Sequence, residues 1–259
     1  MDPMITSTKN ERVKYIRSLV RRRVRQREGR FVVEGSRLVE ELVRAGIQAA
    51  LLLYTQDWSE SPAGQQLLPR LLPAAEGNWL VSEAVLAACS DTQTPQGVLA
   101  VVPVVPRPPK PGLILILDGL RDPGNLGTIL RSAEAAGVGQ VLLTPGTVDA
   151  TNPKVVRGAM GAHFRLAVEA MDWPAAAERV GGRAVWLADA EGGIAYNVVD
   201  WTLPSALIVG GEAAGAGEEA AALATGRVSI PMAGGAESLN AAMAATVLVF
   251  EAARQGVQV

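Results

Sequence analysis

The chain has 259 residues, 49% of them hydrophobic, and a formal charge of −2, with one histidine and one cysteine. That is enough apolar material for two ordinary domains or one large one. Cys89 alone excludes an intrachain disulfide, and His163 alone excludes a His/Cys zinc cluster and any chemistry resting on several histidines, so no metal site is expected.

The near-neutral total hides an asymmetry. Residues 1–30 carry ten Lys or Arg against three acidic residues, so this end is basic and the remainder acidic. A local basic footprint on an acidic protein points to a polyanionic partner. No apolar run approaches the roughly 20 residues that a membrane span needs, and the early arginines are not followed by a signal-peptide core. A cytoplasmic protein with no membrane partner is expected.

In chain order, Val13, Ile16, Val20 and Val24 keep a helical period from Asn10 to about Arg25, with arginines on the remaining faces. Five arginines fall within seven residues, Arg21, Arg22, Arg23, Arg25 and Arg27, with no acid among them. They suit phosphate contact, against the plainer reading of a solvated charged face. A short strand at Phe31–Val33 follows, then a helix capped by Ser36, a strand near Ala49–Tyr54, a helical stretch around Gln65–Leu72 interrupted by Pro69, a strand at Trp79–Val81, a Ser82-capped helix, and a strand at Val98–Val102. This makes a small α/β unit, residues 1–102. Its loop Asp91–Gly97 offers Gln93 and Gln96 to bases or ribose, or is a plain turn.

Five prolines between Pro103 and Gly112 form a stiff extended linker, the clearest domain boundary. Residues 113–259 then restart with Leu113–Leu117, a continuous apolar run of the kind buried on both faces of a parallel sheet. Further strands are expected at about 141–144, 164–168, 184–188, 206–209 and 228–230, mostly with helices between. That rhythm predicts a doubly wound α/β domain whose ligands lie beyond the carboxyl ends of the strands.

Three stretches meet that geometric expectation. Asp118–Arg131 follows the first strand: Asp122-Pro-Gly-Asn125 turns into a helix whose stripe is Leu126, Ile129, Leu130 and Ala133, and Arg131 falls off that stripe, free to clamp a phosphate or carboxylate or to sit in a surface salt bridge. Ala206–Gly215 runs a buried strand into Gly210-Gly211-Glu212, where paired glycines allow close approach to the backbone. Ile230–Asn240 ends in a polar elbow, Glu237, Ser238 and Asn240, ahead of Leu239, Met243, Val247 and Phe250 at helical spacing. The elbow is either a site or an ordinary cap. No Gly-x-Gly-x-x-Gly fingerprint or phosphate-binding P-loop is present, which disfavours a nucleotide-cofactor oxidoreductase.

Taken together these residues resemble the SpoU (TrmH-like) branch of the SPOUT RNA methyltransferases. The family's first motif is similar to Asn125–Arg131, its second to Gly210–Gly215, its third to Ile230-Pro-Met232 with Ser238-Leu-Asn240. Lys9-Asn10, Gly29–Gly35 and Pro95-Gln-Gly97 resemble the ribosomal-protein-like substrate-binding domain often fused to it. The resemblance implies transfer of a methyl group from S-adenosylmethionine to a ribose 2′-hydroxyl in rRNA, with tRNA second, by a homodimer. It also implies a deep trefoil knot at the carboxyl end, an exception to unthreaded topology. It assigns the cofactor to Gly210, Gly211, Ile230, Met232 and Leu239, and catalytic positions to Asn125, Arg131, Glu212, Ser238 and Asn240. RNA contacts are expected from Lys9, Arg21, Arg22, Arg23, Arg25 and Gln96. One departure stands out: Ala159 occupies the place where many relatives have a serine. The rival from another class is a non-catalytic RNA-binding or ribosome assembly protein that keeps the fold.

Overall fold

The computed structural model describes residues 4–73, 76–211 and 215–256. The chain forms two compact units, Met1–Val105 with Thr151–Phe164, and Pro106–Ala150 with Arg165–Val259. The proline-rich stretch carries one crossing. The chain crosses twice more, because a segment that sequence alone assigns to the second half lies in the first unit.

In the first unit, β1 (Arg30–Glu34), β2 (Leu51–Tyr54), β3 (Gly77–Leu80) and β4 (Val98–Pro103) form a sheet in the order β1-β4-β2-β3. β4 is antiparallel to both its neighbours, and β2 and β3 are parallel. The expected first helix is two helices, α1 (Glu11–Ser18) and α2 (Arg22–Glu28), and Val20 between them is 56% exposed. Next, α3 (Ser36–Arg44) starts on Ser36 rather than being capped by it; the Ser36 hydroxyl instead accepts Trp58 Nε1–H at 2.8 Å. The helices α4 (Gln56–Glu60), α5 (Pro62–Leu71) and α6 (Glu83–Cys89) complete this part, and α5 continues through Pro69. From the later segment, α8 (Pro153–Ala159) places Val156 in one core with Phe31, Val33, Leu38 and Phe164.

The second unit is a sheet of seven strands in the order β7-β6-β5-β10-β8-β11-β9, every pairing parallel. Its strands are β5 (Ile114–Asp118), β6 (Gln140–Leu143), β7 (Val168–Ala170), β8 (Ala184–Ala188), β9 (Ile194–Ala195), β10 (Ser205–Gly210) and β11 (Gly226–Ser229). The helices are α7 (Pro123–Ala135), α9 (Trp173–Val180), α10 (Glu218–Leu223) and α11 (Ala241–Gly256). The expectation of a strand at 164–168 is shifted: residues 162–164 make a 3₁₀ turn and β7 starts at Val168.

The strand β5 is buried along its whole length because helices cover both faces, while Leu113 before it is half-buried. Ile114, Ile116, Ala206, Ile208, Val185 and Leu187 face α9 and α10. By the two-residue alternation of strands, Leu115, Leu117 and Leu207 face the other side, where α11 packs on β10 and α7. The chain leaves β5 in one direction for β6 and β7, then returns to build β8 on the other flank, and β10 enters between β5 and β8. That reversal opens a crevice at the carboxyl ends of the strands.

Candidate functional site

A cleft of about 520 Å³ occupies that crevice, at the ends of β8, β10 and β11. Gly210, Gly211, Ile230, Met232 and Leu239, the five residues expected to hold a cofactor, all line it, as do Ser238 and Asn240. Glu212 lies outside the described residues. Asn125 and Arg131 are not in the lining, but Asn125 is brought to its edge: Asn240 Nδ2–H donates to Asn125 Oδ1 at 3.2 Å, linking the start of α11 to the start of α7. Ser132 and Thr246 hydroxyls meet at 2.8 Å further along the same two helices. The helices therefore run in the same direction and present their amino ends together.

Local sequence explains both helix starts. Asp122 accepts Asn125 N–H at 2.8 Å and Pro123 fills the first helical position, where a missing N–H costs nothing. At α11, Asn240 Oδ1 accepts Ala242 N–H at 2.9 Å and Met243 N–H at 3.4 Å, so Asn240 is a cap and a bridge at once. Arg131 is exposed on the outer face of α7, and among the described residues none bonds its guanidinium. Ser238 is exposed at the cleft.

The glycine pair is required first by the chain itself. A Cβ on Gly210 would lie 2.4 Å from Gly215 C and Ala216 N, and one on Gly211 would lie 2.7 Å from Gly119 O. Those are backbone atoms that cannot swing aside, and the returning segment shares the cleft wall.

Two carboxylates are in the lining: Glu237, which sequence offered as part of the elbow, and Asp189, which it did not single out. Asp189 accepts the Glu191 N–H at 2.9 Å and pairs with Arg227. The backbone bond, seconded by Arg227, holds its carboxyl below the usual range against the opposing effect of burial. The signal was present: Asp189 is the first residue beyond a predicted parallel strand, where ligands of such folds bind.

In the first unit Lys9, Arg21, Arg22, Arg23 and Gln96 are exposed. Arg25 is not: it is 3% exposed, and its guanidinium donates to Leu19 O at 3.0 Å, Val20 O at 2.6 Å and Thr151 Oγ1 at 3.0 Å. The carbonyls belong to the break between α1 and α2, so Arg25 stabilises that break and ties in the later segment instead of meeting phosphate. Arg25→Ala is expected to lower the unfolding free energy by roughly 1–3 kcal/mol, since it strips the buried Leu19 carbonyl and the half-buried Val20 carbonyl of a charged donor. The exposed Arg21→Ala should change it by less than about 0.5 kcal/mol. Urea denaturation reads both, and equal effects would return Arg25 to the surface set.

The Asp91–Gly97 loop is anchored, not free. Glu34 Oε1 accepts the Ser90 and Thr92 hydroxyls at 2.5 and 2.7 Å, and Arg157 of α8 donates to Asp91 at 2.7 Å. Ala159 is 1% exposed inside this unit. A side chain at that position meets core, so the alanine does not by itself remove a ligand contact.

Comparison with known proteins places this geometry. Residues 112–250 match the SpoU rRNA Methylase family, and residues 10–100 the MRM3-like substrate binding domain. The chain is 34% identical to the Bacillus subtilis 23S rRNA (guanosine(2553)-2'-O)-methyltransferase RlmP, covering 95% of this chain and 97% of that one. Two solved structures bear on the cleft. The AdoMet-bound rRNA methyltransferase of Sinorhizobium meliloti superposes with a TM-score of 0.86 at 30% identity, over 99% of both chains. The SpoU methyltransferase AviRb of Streptomyces viridochromogenes, in complex with the cofactor AdoMet, gives 0.82 at 30% identity, over 95% of this chain and 98% of that one. With more than half the chain matching that family model, and the three motif stretches gathered at one sheet end, the chain belongs to the SpoU rRNA methylase family.

Proposed function

We propose that this protein is an S-adenosylmethionine-dependent RNA methyltransferase that methylates a ribose 2′-hydroxyl in rRNA. The observation that carries the reading is the Asn240–Asn125 bridge at the mouth of a glycine-walled cleft, on a chain similar over 95% of its length to a protein named as a 23S rRNA 2′-O-methyltransferase.

The cleft suits S-adenosylmethionine. Its volume lies in the range that encloses a small organic ligand. Val209, Ile230, Met232, Leu239 and Leu248 offer apolar wall to a flat base, and Gly210, Gly211 and Gly215 offer bare backbone. When bound, this cofactor supplies an electrophilic methyl carbon on a sulfonium. The chain's task is then to bring the ribose oxygen in line and to stabilise charge as the hydroxyl proton leaves. Asn125 and Asn240 position that oxygen, and Arg131, exposed and without a protein partner among the described residues, binds the adjoining phosphate and stabilises the developing alkoxide. Ser238 and Glu212 keep catalytic positions within the proposal.

Met243 and Phe250 on α11, with Leu239 just before it, are 64%, 46% and 38% exposed, while Ala242, Ala245, Leu248 and Val249 form its buried face. An apolar outer stripe of this kind supports a homodimer built on α11. The trefoil knot of the family and a cytoplasmic location are part of the same reading; among the described residues no helix is long and apolar enough to cross a membrane.

The basic residues of α1 and α2 supply the RNA footprint. Replacing Arg21, Arg22 and Arg23 together by alanine should weaken RNA binding and lower the slope of log K against log salt by about 2 to 3, since each lost phosphate contact removes about 0.7–0.9. An unchanged slope would leave these residues as a solvated face.

The function itself is tested by tritiated-methyl transfer from S-adenosylmethionine to rRNA, with 2′-O-methyl marks mapped in cells with and without the gene. Loss of one ribose mark with the gene supports the proposal. RNA binding with no methyl transfer to any rRNA or tRNA would make the protein a binding factor on the same fold.

A further inference from the structure

Asp118 ends β5 and is only 7% exposed. A carboxylate removed from water is costly unless its oxygens are bonded. Here each oxygen has one strong partner: Oδ1 accepts the Thr144 hydroxyl at 2.7 Å, from the residue after β6, and Oδ2 accepts Gly217 N–H at 2.7 Å, from 99 residues away. Gly217 closes the segment that returns from the glycine pair. Gly215 and Ala216, just before it, line the cleft and press on Gly210 so closely that a Cβ there would meet them at 2.4 Å. Gly211 and Gly215 form an isolated antiparallel bridge.

We propose that Asp118 is a positioning residue for the cofactor: its carboxylate fixes the returning Gly215–Gly217 segment against the ends of β5 and β6 and so sets the width of the cleft. This rests on the reading of the cleft as the cofactor site. Among the described residues the Gly217 N–H donates to Asp118 and to no backbone carbonyl, so this bond is the one that ties Gly217 to the end of β5. Asp118 is not among the residues that line the cleft, so it acts through the backbone it holds.

The bonding pattern makes the conservative variant informative. In Asp118→Asn the amide oxygen still accepts Gly217 N–H, and the amide N–H donates to Thr144 Oγ1, whose own hydrogen turns to Leu117 O, 3.3 Å away. Both ties survive without the charge. In Asp118→Ala both are lost and Gly217 N–H is left unpaired. Gly217→Ala keeps the donor, and its added Cβ meets only Asp118 Oδ2 at 3.4 Å and Glu219 Oε2 at 3.5 Å, ordinary contacts.

The experiment is calorimetric titration of S-adenosylmethionine into the full chain and each variant, with cofactor-free melting and steady-state KM for cofactor and for RNA. Asp118→Ala is expected to raise Kd and cofactor KM about tenfold or more, because binding must then supply the ordering of the Gly215–Gly217 segment that the carboxylate otherwise provides beforehand, with RNA KM unchanged. Asp118→Asn and Gly217→Ala should stay near wild type. Should Asp118→Ala fail to fold, Gly217→Pro removes the same donor: its φ of −74° accepts the ring, which displaces the carboxylate from the segment. Wild-type cofactor affinity in the Ala or Pro variant, or equal impairment of Asn and Ala, overturns the proposal. Ala244→Trp, which fills the cleft wall, separates the two failures. If it leaves cofactor binding unmoved, the cleft reading falls and the proposal with it; if it blocks binding while Asp118→Ala does not, only the positioning role falls.

Discussion

Arg131→Ala is expected to reduce methyl transfer by about 10³-fold, the scale of losing a charge-stabilising group at a reacting oxygen, while S-adenosylmethionine binds as in the wild type. The separation follows from where the side chain lies. Leu126, Ile129, Leu130 and Ala133 bury one stripe of α7 against the core, and Arg131 projects from the opposite side, exposed and outside the cleft lining. Alanine there removes no core packing and costs the helix nothing in propensity, so melting should be unchanged. Arg131→Lys keeps the charge and loses the planar fork, and should recover only part of the rate. Calorimetry beside single-turnover methyl transfer reads the two quantities apart. Parallel loss of cofactor binding and turnover would place Arg131 in the cofactor site, and full turnover in the alanine variant would remove it from the reaction.

The parts of this molecule that sequence made legible are those governed by short-range pattern. The unbroken apolar run of β5 announced a strand buried on both faces, and Asp122-Pro123 announced the start of α7. What sequence did not show depends on contacts between distant residues. The valine period through Val20 and Val24 suggested one helix; the chain breaks there because buried Arg25 satisfies the two carbonyls that the break releases. Thr151–Phe164 has a helix pattern of its own, but nothing local says which sheet it joins, and Val156 and Phe164 join the core of the first unit. On α11, Met243 and Phe250 are residues that hydropathy alone would bury, yet they are exposed while Ala242, Ala245, Leu248, Val249 and Ala252 face inward against β10 and α7. The site was legible as three separate stretches. Their convergence was expected because each follows a predicted strand; the second and third share the cleft wall, and the first joins the third through the bond between Asn240 and Asn125, 115 residues apart.

That bond allows structure and chemistry to be separated at one residue. Asn240 caps α11 through Oδ1 and reaches Asn125 through Nδ2. Asn240→Asp keeps an oxygen for the Ala242 and Met243 N–H groups, and a carboxylate is at least as good a cap and is favoured by the helix dipole. The melting temperature should therefore hold or rise slightly. The same change removes the Asn240 N–H that donates to Asn125 Oδ1 and sets a carboxylate oxygen against that oxygen across 3.2 Å. The amino ends of α7 and α11 then lose their polar link at the place where the ribose oxygen must be oriented, and kcat should fall about 10²-fold, the lower end for one lost positioning donor. Asn240→Ala, by contrast, loses cap and bridge together and should also cost about 1 kcal/mol of stability. A stable aspartate variant with little turnover beside a destabilised alanine variant with equally little identifies the amide N–H as the working group. Wild-type turnover in Asn240→Asp would reduce Asn240 to a cap and leave the bridge without a part in the reaction.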